Sequence, residues 1–126
     1  MATIWMHIPS LEKRKQIEEI CKKNGWNSGL LSGKDLNCPL YQLVKFPFFG
    51  KEKEHKSLPP FYGMPELLLF AGLGDSELDH FLAAYKESGL KPVSLKAVVT
   101  PYNAGWSLYE LILELQKEAA GFLKNS

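Results

Sequence analysis

The chain opens with a five-residue apolar run, Ile4-Trp5-Met6-His7-Ile8, cut off by Pro9 and Ser10. A short apolar run ended by a breaker predicts a strand. From residue 11 to about 23, Ile17, Ile20 and Cys21 fall on one narrow stripe while Glu12, Lys15, Glu18, Glu19 and Lys22 fill the other positions. That spacing predicts a helix with Ser10 as its N-cap and Asn24-Gly25 as its stop. A weaker strand is expected over 26–31, then a turn at Gly33-Lys34-Asp35. A short helix is expected to begin at Pro39, which suits a first helical turn, and to stop at Pro47.

The second half gives clearer signals. Residues 67–71, Leu-Leu-Leu-Phe-Ala, are apolar without interruption and predict a strand covered on both faces. Gly72-Leu73-Gly74 turns the chain, and Asp75 or Ser76 is expected to cap the next helix. In that helix Leu78, Phe81, Leu82 and Tyr85 stand at i, i+3, i+4 and i+7, the spacing of a core-facing stripe, and Gly89 ends it. Valine-rich residues 95–99 predict another strand, 100–105 a turn, and a last helix starts at Leu108. Its stripe is Leu108, Leu111, Ile112, Leu115, Ala119 and Phe122. Tyr109, Leu113, Ala120 and Leu123 extend the apolar surface past the roughly 100° arc a one-sided helix needs. That second face calls for cover, from the connection between the halves or from a second copy of the chain.

The connection, residues 45–65, holds Pro47, Pro59, Pro60 and Pro65, a charged run over 51–56 and the aromatics Phe46, Phe48, Phe49, Phe61 and Tyr62. No periodicity survives that composition, so a long link is predicted, with the aromatics pinning it to the core. The same element order stands on either side. Leu40-Tyr41-Gln42-Leu43-Val44 lies over Leu108-Tyr109-Glu110-Leu111-Ile112 at an offset of 68, and Ile4 over Leu68 at 64. The expected fold is therefore α/β in one domain, residues 1–126. Two pseudo-repeated βαβα units, 1–46 and 66–126 joined by 47–65, form one four-stranded sheet covered by helices. The alternative is a ferredoxin-like α+β sheet with additional helices, in which the βαβ halves interleave; the weak strand at 26–31 leaves that choice open.

Composition narrows the function classes. Hydrophobic residues make up 45% of the chain and charged ones 23%, which is globular and neither disordered nor membrane-spanning. A net charge of +1 gives no general attraction to nucleic acid or to anionic membranes. The charge is uneven: residues 1–63 carry ten basic and six acidic side chains, residues 64–126 five and eight. Lys13-Arg14-Lys15 and Lys22-Lys23 interleave with Glu12, Glu18 and Glu19, which reads as a solvated helix face. Positive charge follows the first apolar run, the reverse of a secretory signal. Two cysteines make no disulfide framework. The expected compartment is the cytoplasm.

Few residues suggest chemistry. Gly72, Gly74 and Ser76 lie between a strand and a helix, where backbone N–H groups can hold an anion. The pattern there is only G-x-G, and Glu77 at the third position opposes a phosphate. In the loop before the last helix, Ser107 and Glu110 form a capping box, and Trp106 can staple onto Leu111. Tyr102 and Asn103 keep no such role, so Tyr102, Asn103 and Trp106 are candidate ligand contacts at the mouth of the sheet. Cys38, before Pro39, is a candidate reactive thiol if a helix N-terminus favours its thiolate; Cys21 reads as a buried filler. His7, His55 and His80 have no zinc-site spacing, so no metal is expected. No catalytic set and no cofactor fingerprint is present. The expected function is a non-catalytic binding or regulatory module with a protein or small-molecule partner, acting as monomer or homodimer. The alternative is a small-molecule or nucleotide-binding protein or enzyme that uses both loops.

Pro65-Glu66-Leu67-Leu68-Leu69-Phe70, then Lys96-Ala97-Val98-Val99-Thr100-Pro101 running on to Asn103, Trp106, Leu108, Glu110 and Leu111, carry a resemblance. Residues 65–120 resemble a small bacterial domain family of unknown function, with a strand, a helix, K-A-V-x-T-P-x-N-x-x-W and an acidic amphipathic helix. The resemblance implies that element order and a bacterial cytoplasmic setting. It brings no activity and no catalytic residue.

Overall fold

A computed structural model describes residues 2–52 and 64–124. In chain order the elements are β1 (Thr3–His7), α1 (Leu11–Lys23), β2 (Asn27–Leu30), a 3₁₀ turn (Gly33–Asp35), α2 (Leu40–Leu43), β3 (Leu67–Ala71), α3 (Asp75–Glu87), β4 (Leu95–Val98) and α4 (Leu108–Lys124). They divide into two compact units: Met1–Leu31 with Pro65–Val98, and Ser32–Met64 with Val99–Ser126. Each half of the sequence gives its βαβ segment to the first unit and the segment that follows to the second.

The first unit is built on a four-stranded mixed sheet in the order β2-β1-β3-β4. β1 pairs with β2 in parallel, β3 with β4 in parallel, and β1 with β3 antiparallel. The fold is α/β, with the two βαβ segments side by side. The interleaved ferredoxin-like alternative is not formed, because α1 and a three-residue loop return β2 directly alongside β1. Asn27 N–H donates to Ala2 O at 3.1 Å and Leu31 N–H to Met6 O at 2.8 Å. The apolar strands β1 and β3 take the centre, and β2, Asn-Ser-Gly-Leu, takes an edge where its polar side chains meet water. β1 and β3 start 64 residues apart, as do α1 and α3; β2 and β4 start 68 apart, as do α2 and α4. At the antiparallel seam Trp5 faces Leu69, the residue 64 positions later.

Alternation sends Ile4, Met6, Leu68 and Phe70 to one face, where they form a buried core with Ile17 and Cys21 of α1 and Phe81 of α3. All five residues of β3 are buried, as its uninterrupted apolar run predicts. α1 is capped as expected: Ser10 Oγ accepts from Lys13 N–H at 3.3 Å, Asn24 Nδ2 donates to Ile20 O at 2.8 Å, and Gly25 takes φ +75°. The cap of α3 differs from the expectation of Asp75 or Ser76. Gly74 holds the N-cap position, and Asp75 and Ser76 lie inside the first turn.

One close approach in this unit invites a test. A Cβ on Gly29 would stand 2.4 Å and 2.5 Å from ring carbons of Trp5, and Trp5 Nε1 is buried with no hydrogen-bond partner among the described residues. Gly29→Ala is expected to cost on the order of 2 kcal/mol through overpacking, and much less in a Trp5→Val background. Urea unfolding of the two single variants and the double variant checks it. Equal costs in both backgrounds would place the strain elsewhere.

The second unit joins two loops. Pro39 bridges Ser107 antiparallel. Around that bridge Leu40 N–H donates to Trp106 O (2.8 Å), Tyr41 N–H to Ala104 O (3.0 Å) and Leu108 N–H to Cys38 O (3.1 Å). α2 is shorter than expected, a single turn with Pro39 at its N-cap, and it ends at Leu43 because Lys45 turns left-handed at φ +55° before Pro47 is reached. The start of α4 is buried at Leu108, Tyr109, Leu111 and Ile112, Leu113 and Leu115 are half-buried, and 116–119 are exposed. Of the connection's aromatics, Phe48 packs on Tyr41 with ring centres 5.2 Å apart, whereas Phe49 is fully exposed. Phe61 and Tyr62 lie outside the described residues. Among the described residues no helix is long and apolar enough to cross a membrane.

Candidate functional site

The glycine turn after β3 has the Gly74 N–H already engaged. Gly72 takes φ +79°, and Gly74 N–H donates to Glu77 Oε1 at 3.2 Å. The other oxygen of that carboxylate accepts from Trp26 Nε1 at 3.2 Å, and the Trp26 ring meets His80 edge-on at 5.5 Å. Glu77 therefore supplies the negative charge that the helix N-terminus attracts. An incoming phosphate would have to displace it. Ser76 is exposed in the first turn of α3.

In the other unit the loop before α4 closes on itself. Asn103 Oδ1 accepts from Thr100 N–H at 2.9 Å while Asn103 N–H donates to Thr100 O at 3.2 Å. Asn103 thus ties the turn, a role its spacing from Thr100 would have permitted one to read. Ser107, 1% exposed, accepts on Oγ from Glu110 N–H at 3.1 Å, the N-cap half of the predicted box. Trp106 is half-buried and meets the exposed Tyr102 edge-on at 5.4 Å.

Both thiols are raised above their ordinary value. Burial, then Glu18, pushes Cys21 up to about 11. Cys38 is half-exposed, and slight burial, then Asp35 and Glu52, raises it as well. The single turn of α2 offers little dipole, and Cys38 Sγ stands 3.9 Å from Gln42 Oε1. Among the described residues no cluster of three or more His, Cys, Asp or Glu could hold a metal ion.

Sequence reasoning missed two concave features of the first unit. One is a polar groove of about 470 Å³ near the end of β1, bounded by Ser10, Gln16, Glu66 and residues 90–92. Lys13 spans it, donating to both oxygens of Glu66 (3.0 and 3.1 Å) and to Pro92 O at 3.4 Å. The Lys13 and Glu66 charges are thereby paired within the chain. Tyr85, whose hydroxyl donates to Lys91 O, is raised above its ordinary value, first by burial.

The other feature is an apolar groove between α3 and β4. Its upper part, about 220 Å³, is lined by Phe70, Leu78, Leu82, Lys96, Ala97 and Val98. Leu82 and Lys96 also line an adjoining space of about 380 Å³ reached by Tyr85, Lys86, Leu90 and Pro92. The expected core stripe of α3 is thus divided: Phe81 is fully buried, but Leu82 is 39% exposed and faces the groove. Among the described strands β4 stands at the sheet edge, so α3 packs over β3 and leaves β4 partly uncovered. The equivalent places on α1, 64 residues before Leu78 and Leu82, hold Arg14 and Glu18, an ion pair at 3.7 Å.

All the lining residues of that groove fall in one recognisable stretch. Residues 66–122 match a domain of unknown function, DUF3783. The likeness to a small family of unknown function expected from the sequence is thus met over this part of the chain. The DUF3783 match takes in β3, α3, β4 and most of α4, and leaves β1, α1 and β2 outside. No curated protein and no solved structure matches the chain. Within the DUF3783 stretch, Glu77, Asn103 and Ser107 are tied to the backbone of their own turns, whereas Leu78 and Leu82 line open space.

Proposed function

We propose that this chain is a non-catalytic binding module that recognises another protein through the groove between α3 and β4, in a bacterial cytoplasm. The carrying observation is the contrast between the two crossover helices. α1 shows that the architecture tolerates a charged pair at the two places where α3 has Leu78 and Leu82. Leucines kept half-open at places the fold can fill with charge point to an occupant. Groups that chemistry would need are otherwise engaged, Gly74 N–H with Glu77 and Lys13 with Glu66, and burial raises both thiols. For that reason the reading through the two loops, with a small molecule or nucleotide, has less support.

The same contrast gives the module an origin. Matching elements at offsets of 64 and 68, together with the pairs Trp5–Leu69 and Pro39–Ser107 at those same offsets, support an internal duplication. In this reading the second copy acquired the binding face and the first became its support. A random-peptide display selection against the full chain tests the function. It is expected to yield binders that Leu82→Asp weakens about tenfold or more, a loss of about 1.4 kcal/mol, with the variant melting near the parent because Leu82 is part-exposed. Binders indifferent to Leu82→Asp would remove the groove from the reading.

A further inference from the structure

The geometry points to an extended, acidic segment of a partner protein as the occupant of the α3–β4 groove, with apolar side chains on alternate residues and carboxylates between and beside them. This rests on the reading of the groove as a docking surface and adds the chemistry of what docks there.

The shape of the groove fits an extended chain. The groove is two adjoining spaces of about 220 and 380 Å³ that share Leu82 and Lys96. Leu78, Leu82 and Lys86 stand at successive turns of α3, so the groove runs for roughly 12 Å along the helix. An extended chain covers that length in about four residues, with side chains two apart pointing the same way and separated by roughly 7 Å. One side chain would enter between Leu78 and Val98, the next between Leu82 and Leu90. A recess between helix and strand accepts side chains and fits a flat lipid surface poorly.

The charge of its rim fits an acidic one. Residues 64–126 carry eight acidic and only five basic side chains, yet three of those five, Lys86, Lys91 and Lys96, gather at the α3–β4 connection. Lys86 and Lys96 line the groove itself, and among the described residues neither is in an ion pair. Glu66, in the neighbouring polar groove, is held by Lys13. Lys96 stands in the register of Leu68, on the face that carries the core, so its stem lies along apolar surface and its ammonium reaches the rim. An apolar floor under a cationic rim favours acidic segments and rejects basic ones.

The test titrates three capped peptides into the full chain at low salt, followed by backbone amide shifts: Glu-Leu-Asp-Val-Glu, Lys-Leu-Lys-Val-Lys and Glu-Ser-Asp-Ser-Glu. The first is expected to bind about tenfold or more tighter than the other two, a preference of at least about 1.4 kcal/mol, and to shift the amides of α3 and β4. Lys86→Glu with Lys96→Glu, both on the surface, should invert the preference between the first two. Equal binding of the acidic and basic peptides overturns the inference, as does equal binding of the serine peptide. If display selection returns Leu82-dependent peptides without acidic bias, the acidic occupant falls and the groove reading stands; with no Leu82-dependent peptide, both fall. Sedimentation showing a dimer that Leu82→Asp dissociates, or binding to phosphatidylserine vesicles in place of peptide, would also overturn the acidic segment as occupant.

Discussion

Phe81→Ala is expected to remove about 3 to 5 kcal/mol of stability, the range for deleting a fully buried aromatic ring. Phe81 has no exposed surface and is the point where the sheet, α1's end and α3 meet. Its ring lies 5.3 Å from Phe70, 5.9 Å from Trp26 and 6.1 Å from Tyr85. Removing it takes away apolar area and three ring contacts together, and leaves a space that the rigid strands cannot close. A domain of this size has roughly 5 to 15 kcal/mol in total, so the variant should unfold at far lower urea with a similar slope. Phe81→Leu should lose clearly less. A loss below about 1 kcal/mol for Phe81→Ala would mean that Trp26 and Tyr85 collapse into the space, and would make the α3 packing plastic.

Leu82, the next residue, should behave in the opposite way, and the pair shows where sequence reading stops. Periodicity places Phe81 and Leu82 on one stripe because they follow each other across the same helix face. Whether a stripe residue reaches core or open space depends on where the sheet ends beneath it, and that is set by strand order. Strand order was the open question, since Asn27–Leu30 carries little strand signal. With β4 at the edge, Phe81 reaches the closed core against Phe70 while Leu82 faces the part of β4 that α3 leaves uncovered. The lysines show the same limit: 86 and 96 follow no helical or strand period and line one groove only because α3 and β4 lie side by side. Lys13 and Glu66, 53 residues apart, gave no signal of pairing either.

What periodicity and punctuation can specify was legible. The bounds of α1 follow from Ser10 and Asn24-Gly25, and β3 from its unbroken apolar run. The cap of α3 was misjudged by one residue for a physical reason. Asp75 is the better cap by side chain, but Glu77 reaches back to Gly74 N–H and to the Trp26 indole, and that second partner comes from a segment 51 residues away. Asn103 shows the converse. Its bond to Thr100 is local, so a reading of the turn alone would have assigned it.

Raising the pH from 8 to 11 is expected to cost this protein stability through Cys21, by roughly 2 to 3 kcal/mol at the upper end. The thiol is 1% exposed in the core, and burial followed by the nearby Glu18 carboxylate raises it from 9.0 to about 11. A raised acid is held neutral in the folded chain while the unfolded chain loses its proton at the ordinary value. Below pH 9 both states keep the proton and stability is unaffected. Between pH 9 and about 11 the unfolded state binds fewer protons, so stability falls as pH rises, and above about 11 the loss levels off. Cys21→Ala removes the titrating group at the price of a small cavity whose effect does not depend on pH. The stability gap between parent and variant, measured by urea unfolding under reductant, should therefore shrink or reverse from pH 8 to pH 11. Lysines and tyrosines titrate in both proteins and cancel in that comparison. A gap that stays constant across the range would show that the Cys21 thiol titrates in the fold as it does in water, and that α1 opens above the core far more readily than its packing implies.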